Sequence, residues 1–289
     1  MATEKRKRQE QGRLARLEAE RQAQRRAQRN RSIRNLLILL GALVVGALVY
    51  SILSGGDDDG DEVSTGDTTT TTEPATDDGG ADDDEGSPEV VLPGQGASIT
   101  GETPCPPADG SAERTTSFEQ APPMCIDPAR TYTATIKTTE GDIVVELDAK
   151  RAPETVNNFV VLARYHYYDD VPFHRIIPGF MNQAGDPVGP VPGTGGPGYT
   201  IPDELPTGDD PYPTGTLAMA NTGQPNSGGG QWFITVEGGG DQLTPTYSAF
   251  GRVVEGQDVV DEINQHGDAA TNGTPTKIVT ITTIEITES

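Results

Sequence analysis

The chain of 289 residues carries 21 Lys+Arg against 44 Asp+Glu, a formal net charge of −23, with 5% aromatic residues, 35 Gly and 23 Pro. That composition excludes a polytopic membrane protein and an all-helical bundle, and the apolar C-terminal part excludes disorder throughout. It also argues against a nucleic-acid partner, because every phosphate contact needs a cation.

Charge divides the chain. Residues 1–34 hold twelve Lys/Arg and four Glu, a net of +8; residues 55–130 net −17, residues 131–289 net −14, and residues 35–54 carry no charge. The first segment reads as a basic, solvated helix with little apolar stripe beyond Leu14 and Leu17. Its expected place is the cytoplasm, against anionic headgroups. Residues 36–53, LLILLGALVVGALVYSIL, form an apolar run of eighteen residues. As a helix it spans roughly 27 Å, near the hydrocarbon thickness of a bilayer. With Arg25, Arg26, Arg29, Arg31 and Arg34 on one side and Asp57, Asp58 and Asp59 on the other, the positive-inside rule puts the N-terminus in the cytoplasm and the rest outside. Residues 35–54 are thus expected to be a single-pass signal anchor in contact with membrane lipid. A cleaved signal peptide is the competing reading, though the basic region is long and no A-x-A site follows.

Residues 55–104 read as an extended acidic linker, since runs such as DDDGDE and DDGGADDDEG bury too little apolar surface to offset chain entropy. Residues 105–130 form a Cys/Pro-rich extension. Cys105 and Cys125, the only cysteines, read as one structural disulfide in an oxidising compartment, with free or intermolecular thiols as the alternative. Zinc would need further ligands, and the C-x-x-C spacing of a redox site is absent.

From residue 131 the pattern becomes that of a folded module. Alternation over 131–138 and 143–147 predicts a β-hairpin around Glu140, Gly141 and Asp142. Residues 152–167 open with Pro153 and place Val156, Phe159, Val160 and Ala163 on one helical face. Short strands are expected at 173–177, 180–185, 216–220, 231–236 and 248–254, a second helix at 257–264, and a last strand at 277–287. The apolar phase of that strand slips between Ile281 and Ile284, which predicts a bulge. This inventory predicts a mainly β fold, a closed antiparallel barrel with two helices over its open ends.

Three histidines, His166, His174 and His266, form no H-E-x-x-H or similar pair, so no metal is expected. There is no G-x-S-x-G, and GTGGPG at 193–198 lacks the ending of a phosphate loop. No cofactor is expected either.

The informative stretches are 173–186, FHRIIPGFMNQAGD, and 219–234, MANTGQPNSGGGQWFI. In the second, Gln231 and Phe233 share a strand face while Trp232 points the other way. Here the sequence resembles the cyclophilins, peptidyl-prolyl cis–trans isomerases, over residues 131–289. The resemblance implies an eight-stranded antiparallel barrel capped by two helices, with a groove on its outer surface. It implies that Arg175 is the catalytic arginine and that Gln183 holds it and the substrate carbonyl. Phe180, Met181, Phe233 and Leu243 would line the pocket for the proline ring, and Ala220, Asn221 and Gln231 would bind the flanking peptide backbone. Where the family often has Trp and His, this chain has Gln242 and Tyr247; Tyr247 can still donate a hydrogen bond and supply a flat wall. Gln224 lengthens the loop after Asn221, and His174 is read as inward and structural. The expected function is isomerisation of X–Pro bonds in exported or unfolded polypeptides, without cofactor or metal. A non-catalytic peptide-binding scaffold on the same fold is the alternative.

Overall fold

The computed structural model describes residues 88–289. The expected basic segment, membrane span and most of the acidic linker lie outside the described residues. No helix among the described residues is long and apolar enough to cross a membrane.

The described chain begins with β1 (Ala97–Ile99) and β2 (Thr115–Phe118), a parallel pair. β1 lies inside the stretch 55–104 expected to be linker, so the packed extension starts before Cys105. The local cause is composition. Residues 93–100, PGQGASIT, carry no charge, and Gly96 N donates to Thr116 Oγ1 at 2.8 Å while Ala97 N donates to Arg114 O at 2.9 Å. Cys105 and Cys125 are joined as a disulfide with Cα atoms 5.4 Å apart.

β3 (Tyr132–Thr138) and β4 (Gly141–Leu147) pair from Tyr132 against Leu147 to Thr138 against Gly141, leaving a two-residue turn at Thr139 and Glu140. Ala134, Ile136, Ile143 and Val145 are fully buried, as the period of two in a one-sided sheet requires. α1 (Pro153–Arg164) follows, shorter than the expected 152–167. Its first turn takes its carboxylate from Glu204, which accepts from Glu154 N at 3.1 Å and Thr155 N at 2.8 Å; an anion there also suits the helix dipole. The sequence gives this helix one apolar face, yet residues Thr155 to Arg164 are buried all round. The extension covers the other side. Asn157 accepts from Cys125 N at 2.7 Å and donates to Pro123 O at 2.9 Å, and the Tyr165 hydroxyl donates to Pro104 O at 2.8 Å.

The remaining strands are β5 (Val171–Pro172), β6 (Arg175–Ile177), β7 (Met181–Ala184), β8 (Thr216–Met219), β9 (Trp232–Thr235) and β10 (Ala249–Glu255). After α2 (Gln257–Gln265) come β11 (Gly267–Asp268), β12 (Thr274–Pro275) and β13 (Thr280–Glu288). β11 and β12 form a small hairpin, and the main sheet runs β5-β13-β3-β4-β10-β8-β9-β7-β6, antiparallel throughout. The register of β13 shifts between Ile281 and Thr283, where the phase slip predicted a bulge.

Two features of the expected closed eight-stranded barrel are corrected. The sheet has nine strands, and it curls into a half-barrel whose edges β5 and β6 are joined by Phe173 and His174 rather than by a ladder. The strand expected at 173–177 is therefore shortened to β6, with the two-residue β5 lying before it, because its backbone is claimed from outside the seam: Phe173 N donates to Val279 O at 2.9 Å and Ile176 N to Gly273 O at 2.8 Å. Inside the curl, Trp232 meets the rings of Phe159, Tyr168 and Phe173 edge-on. A second, smaller apolar cluster of Met181, Tyr212, Ala218, Phe233 and Ala249 lies apart from that core.

Candidate active site

The second cluster follows from strand register. Reading across β6, β7, β9, β8 and β10, Arg175 opposes Gln183, Gln183 opposes Phe233, Phe233 opposes Ala218, and Ala218 opposes Ala249. Directly opposed residues share a face, so this row sets a guanidinium, an amide and an aromatic ring side by side on the face away from Trp232 and Ile234. Met181, two residues before Gln183, shares that face. Phe180, Ala220, Leu243 and Tyr247 pack against the cluster. Met181, Tyr212, Ala218, Phe233 and Ala249 are all buried, so the row ends in a compact apolar cluster that the half-buried Phe180, Leu243 and Tyr247 cover.

Arg175 is held from two sides. Its Nη1 donates to Gln183 Oε1 at 3.4 Å, its Nε to Asn272 O at 3.3 Å and its Nη2 to Asn272 Oδ1 at 3.2 Å. Burial lowers its pKa from the ordinary value, with the Tyr247 hydroxyl acting in the opposite sense; the fork stays charged at working pH. Asn272 sits in the β11–β12 loop at φ 62° and was not among the residues anticipated from sequence. The Asn-Gly pair at 272–273 signals a tight turn, but nothing local says which side chain that turn meets.

An amide chain extends from Gln183. Its Nε2 donates to Gln231 Oε1 at 3.0 Å, and Gln231 Nε2 donates to Gly193 O and Gly195 O, each at 2.9 Å. Gln231, expected to bind peptide, thus has its amide occupied in bracing the glycine-rich loop. That loop is organised by Asp186, a fully buried residue that the sequence reading passed over. Its carboxylate accepts from Val188 N at 3.1 Å and from Gly189, Gly193 and Gly195 N, each at 2.8 Å.

The opposite wall is held by Tyr212. Its hydroxyl donates to Tyr247 O and accepts from Tyr247 N, both at 2.9 Å. Tyr247 then stands edge-on to Phe233, centroids 5.3 Å apart. Gln242 donates to Gly179 O at 2.9 Å, tying the turn before Leu243 to the loop before Phe180. Asn221 also spends its side chain on loop structure, donating to Thr246 O at 2.9 Å and accepting from Gly223 N at 3.0 Å. Ala220 N is taken by Gln231 O. Beyond them a cleft of about 580 Å³ is lined by Gln183, Gly193 to Thr200, Ala220 to Thr222 and Gly229 to Gln231. His174 lies behind the loop, its pKa lowered to about 4 chiefly by burial. Away from the site, Glu140, Glu262 and His266 bring ligand-type atoms within 4.8 Å of one another, but Glu140 is already paired with Lys277 Nζ at 2.5 Å.

The fold and site thus combine a curled antiparallel sheet, a half-buried arginine and an adjoining apolar cluster, the class of domain that the comparisons with known proteins define. Residues 133–286 match the family model described as cyclophilin type peptidyl-prolyl cis-trans isomerase/CLD. A probable peptidyl-prolyl cis-trans isomerase A of Mycobacterium bovis is 42% identical over 181 residues, covering 55% of this chain and 94% of that protein. A peptidyl-prolyl cis-trans isomerase of Helicobacter pylori is 40% identical over 139 residues, covering 47% of this chain and 83% of that one. The crystal structure of a cyclophilin type isomerase from Cryptosporidium parvum superposes with a TM-score of 0.50 at 31% identity, covering 55% of this chain and 99% of the other. The chain belongs to the cyclophilin-type peptidyl-prolyl cis-trans isomerases, and it is an isomerase.

Proposed function

We propose that the domain turns X–Pro bonds in exported or unfolded polypeptides, with Arg175 stabilising the twisted amide. The observation that carries the reading is the row from Arg175 through Gln183 to Phe233, which sets a fixed cation beside an apolar cluster. Rotation about an X–Pro bond costs the amide resonance, a barrier of roughly 18–20 kcal/mol. No covalent bond breaks, so neither nucleophile nor metal is required. As the C–N bond twists, the prolyl nitrogen becomes pyramidal and acquires a lone pair. A guanidinium N–H directed there favours the twisted form over the planar one, which is differential binding of the transition state. Met181, Phe180, Phe233, Leu243 and Tyr247 would grip the ring while the acyl side swings, and Gln183 keeps the fork aimed.

Charge patterning supports a membrane setting: residues 35–54 would anchor the chain, and the acidic segment would hold the isomerase outside the cytoplasm, near clients emerging from the membrane. A reporter enzyme fused after residue 60 should be active only outside.

The deciding experiment is a prolyl-peptide isomerisation assay of the full chain against Arg175→Ala. One charge-assisted hydrogen bond is worth about 1.5–3 kcal/mol, so kcat/KM should fall roughly ten- to a hundredfold. Arg175→Lys should recover only part of this, because the ammonium lacks the fork. Equal rates for the Ala variant and its parent would leave a peptide-binding scaffold.

A further inference from the structure

The extension precedes the residues matched by the family, yet its second strand ends directly behind the peptide cleft. Phe118, the last residue of β2, is the junction and is 1% exposed. Its N–H donates to Pro197 O at 2.7 Å, and its ring stands edge-on to Tyr165 and Tyr199 with centroids 5.4 and 6.1 Å away. Gly198 holds φ +106°, and a Cβ there would strike the Phe118 carbonyl oxygen, so strand and loop touch backbone to backbone. The Tyr199 hydroxyl donates to Asn158 Oδ1 and Asn158 Nδ2 to Gly229 O, each at 2.7 Å. Pro197, Gly198, Tyr199 and Gly229 all line the 580 Å³ cleft that shares Gln183, Ala220, Asn221 and Gln231 with the proline site.

We propose that the extension is a built-in wall of the peptide cleft. Phe118 acts as the positioning residue that sets how far residues 197–199 stand from 220–222, and so how firmly the polypeptide on either side of the proline is held. This rests on the isomerase reading above. A loop with glycine at 193, 195, 196 and 198 has much conformational entropy to lose and needs an external mould. Asp186 supplies it at one end of the loop, and β2 supplies it at the other. β2 is itself a firm abutment, since Thr115 N donates to Tyr165 O at 2.9 Å and Glu119 N to Ile99 O at 3.0 Å, and the Cys105–Cys125 disulfide closes the chain around it. Arg175 takes its partners from Asn272 and Gln183, not from the extension. Loosening the wall should therefore weaken binding of flanking residues while leaving the twisting step intact, which raises KM and spares kcat.

The test uses the full chain and two substrates, a short X–Pro peptide blocked on both sides of the pair and a longer one with several residues on each side. Phe118→Ala should raise KM for the long substrate about five- to tenfold, with kcat and the short substrate within about twofold of the parent. Phe118→Leu should fall between. Tyr165→Leu removes a ring that Phe118 stands against, with Phe118 in place and outside the cleft lining, and the same KM-only shift is expected of it even if Phe118→Ala folds poorly. Unchanged KM for the long substrate in Phe118→Leu and Tyr165→Leu, or a loss of kcat on both substrates alike, overturns the inference. Arg175→Ala run alongside separates the two readings: full kcat there defeats the isomerase mechanism, whereas lost kcat there with unaltered Phe118 and Tyr165 variants defeats only the wall.

Discussion

Replacing Asp186 with Asn tests the loop brace at its root. The carboxylate accepts four N–H groups, two on each oxygen: Val188 and Gly189 on Oδ1, Gly193 and Gly195 on Oδ2. Asn keeps one oxygen and turns the other into a donor, so two N–H groups face an NH2. Each orphaned donor costs about 1–3 kcal/mol, a local penalty of about 2–6 kcal/mol. The loop is half-buried and can open to water, which relieves the upper part of that range. A residual loss near 2 kcal/mol should lower Tm by roughly 4–8 °C for a domain of this size. Opening frees the Gly193 and Gly195 carbonyls from Gln231, and the amide chain to Gln183 and Arg175 loses its anchor. We expect kcat/KM to fall about tenfold, the equivalent of about 1.4 kcal/mol. Thermal melting and the prolyl assay, run on the same preparations, read both effects. A Tm within 1 °C of the parent together with activity within twofold would show that the four hydrogen bonds hold nothing the site depends on.

Asn272→Gly keeps the positive φ and the backbone oxygen that receives Arg175 Nε but removes the Oδ1 acceptor of Nη2. Losing one hydrogen bond to a charged group should reduce kcat about tenfold with little change in KM; steady-state kinetics with an unchanged kcat would exclude Asn272 as a positioning residue. Burial lowers the His174 pKa from 6.5 to about 4, so the unfolded chain takes up its proton first as pH falls. Stability is therefore complete above pH 6.5 and declines toward pH 4, by about 3 kcal/mol at most. His174→Leu should flatten the Tm profile between pH 6.5 and 5, and an identical slope in parent and variant would rule this residue out as the cause.

How much was legible in the sequence differs from residue to residue. The β3–β4 hairpin, the bulge in β13 and the facing of Phe233 away from the core were all readable, because each depends on alternation within a few residues. The site residues expected from the family resemblance converge on one face of the sheet, but their labour is divided differently. Gln231 and Asn221 spend their side chains on loops, and only the folded loops reveal it. α1 reads as half-exposed because its outer cover comes from residues 104 to 125, whose packing leaves no periodic signature.

By itself the sequence determined most strands of the main sheet, the two helices, the charge partition and the family, but not β1, β2, β5 or the β11–β12 hairpin, since what it determined rests on local pattern or on contiguous motifs. Tertiary structure alone decided that Asn272, 97 residues from Arg175, shares its guanidinium, that Asp186 gathers four N–H groups, that nine strands curl without a closing ladder, and that Phe118 backs the cleft. All but the Asp186 loop, whose partners lie two to nine residues on, are pairings between distant segments. Such pairings form where donors, acceptors and apolar groups meet partners from across the fold, and no short stretch of chain records where such a partner will be.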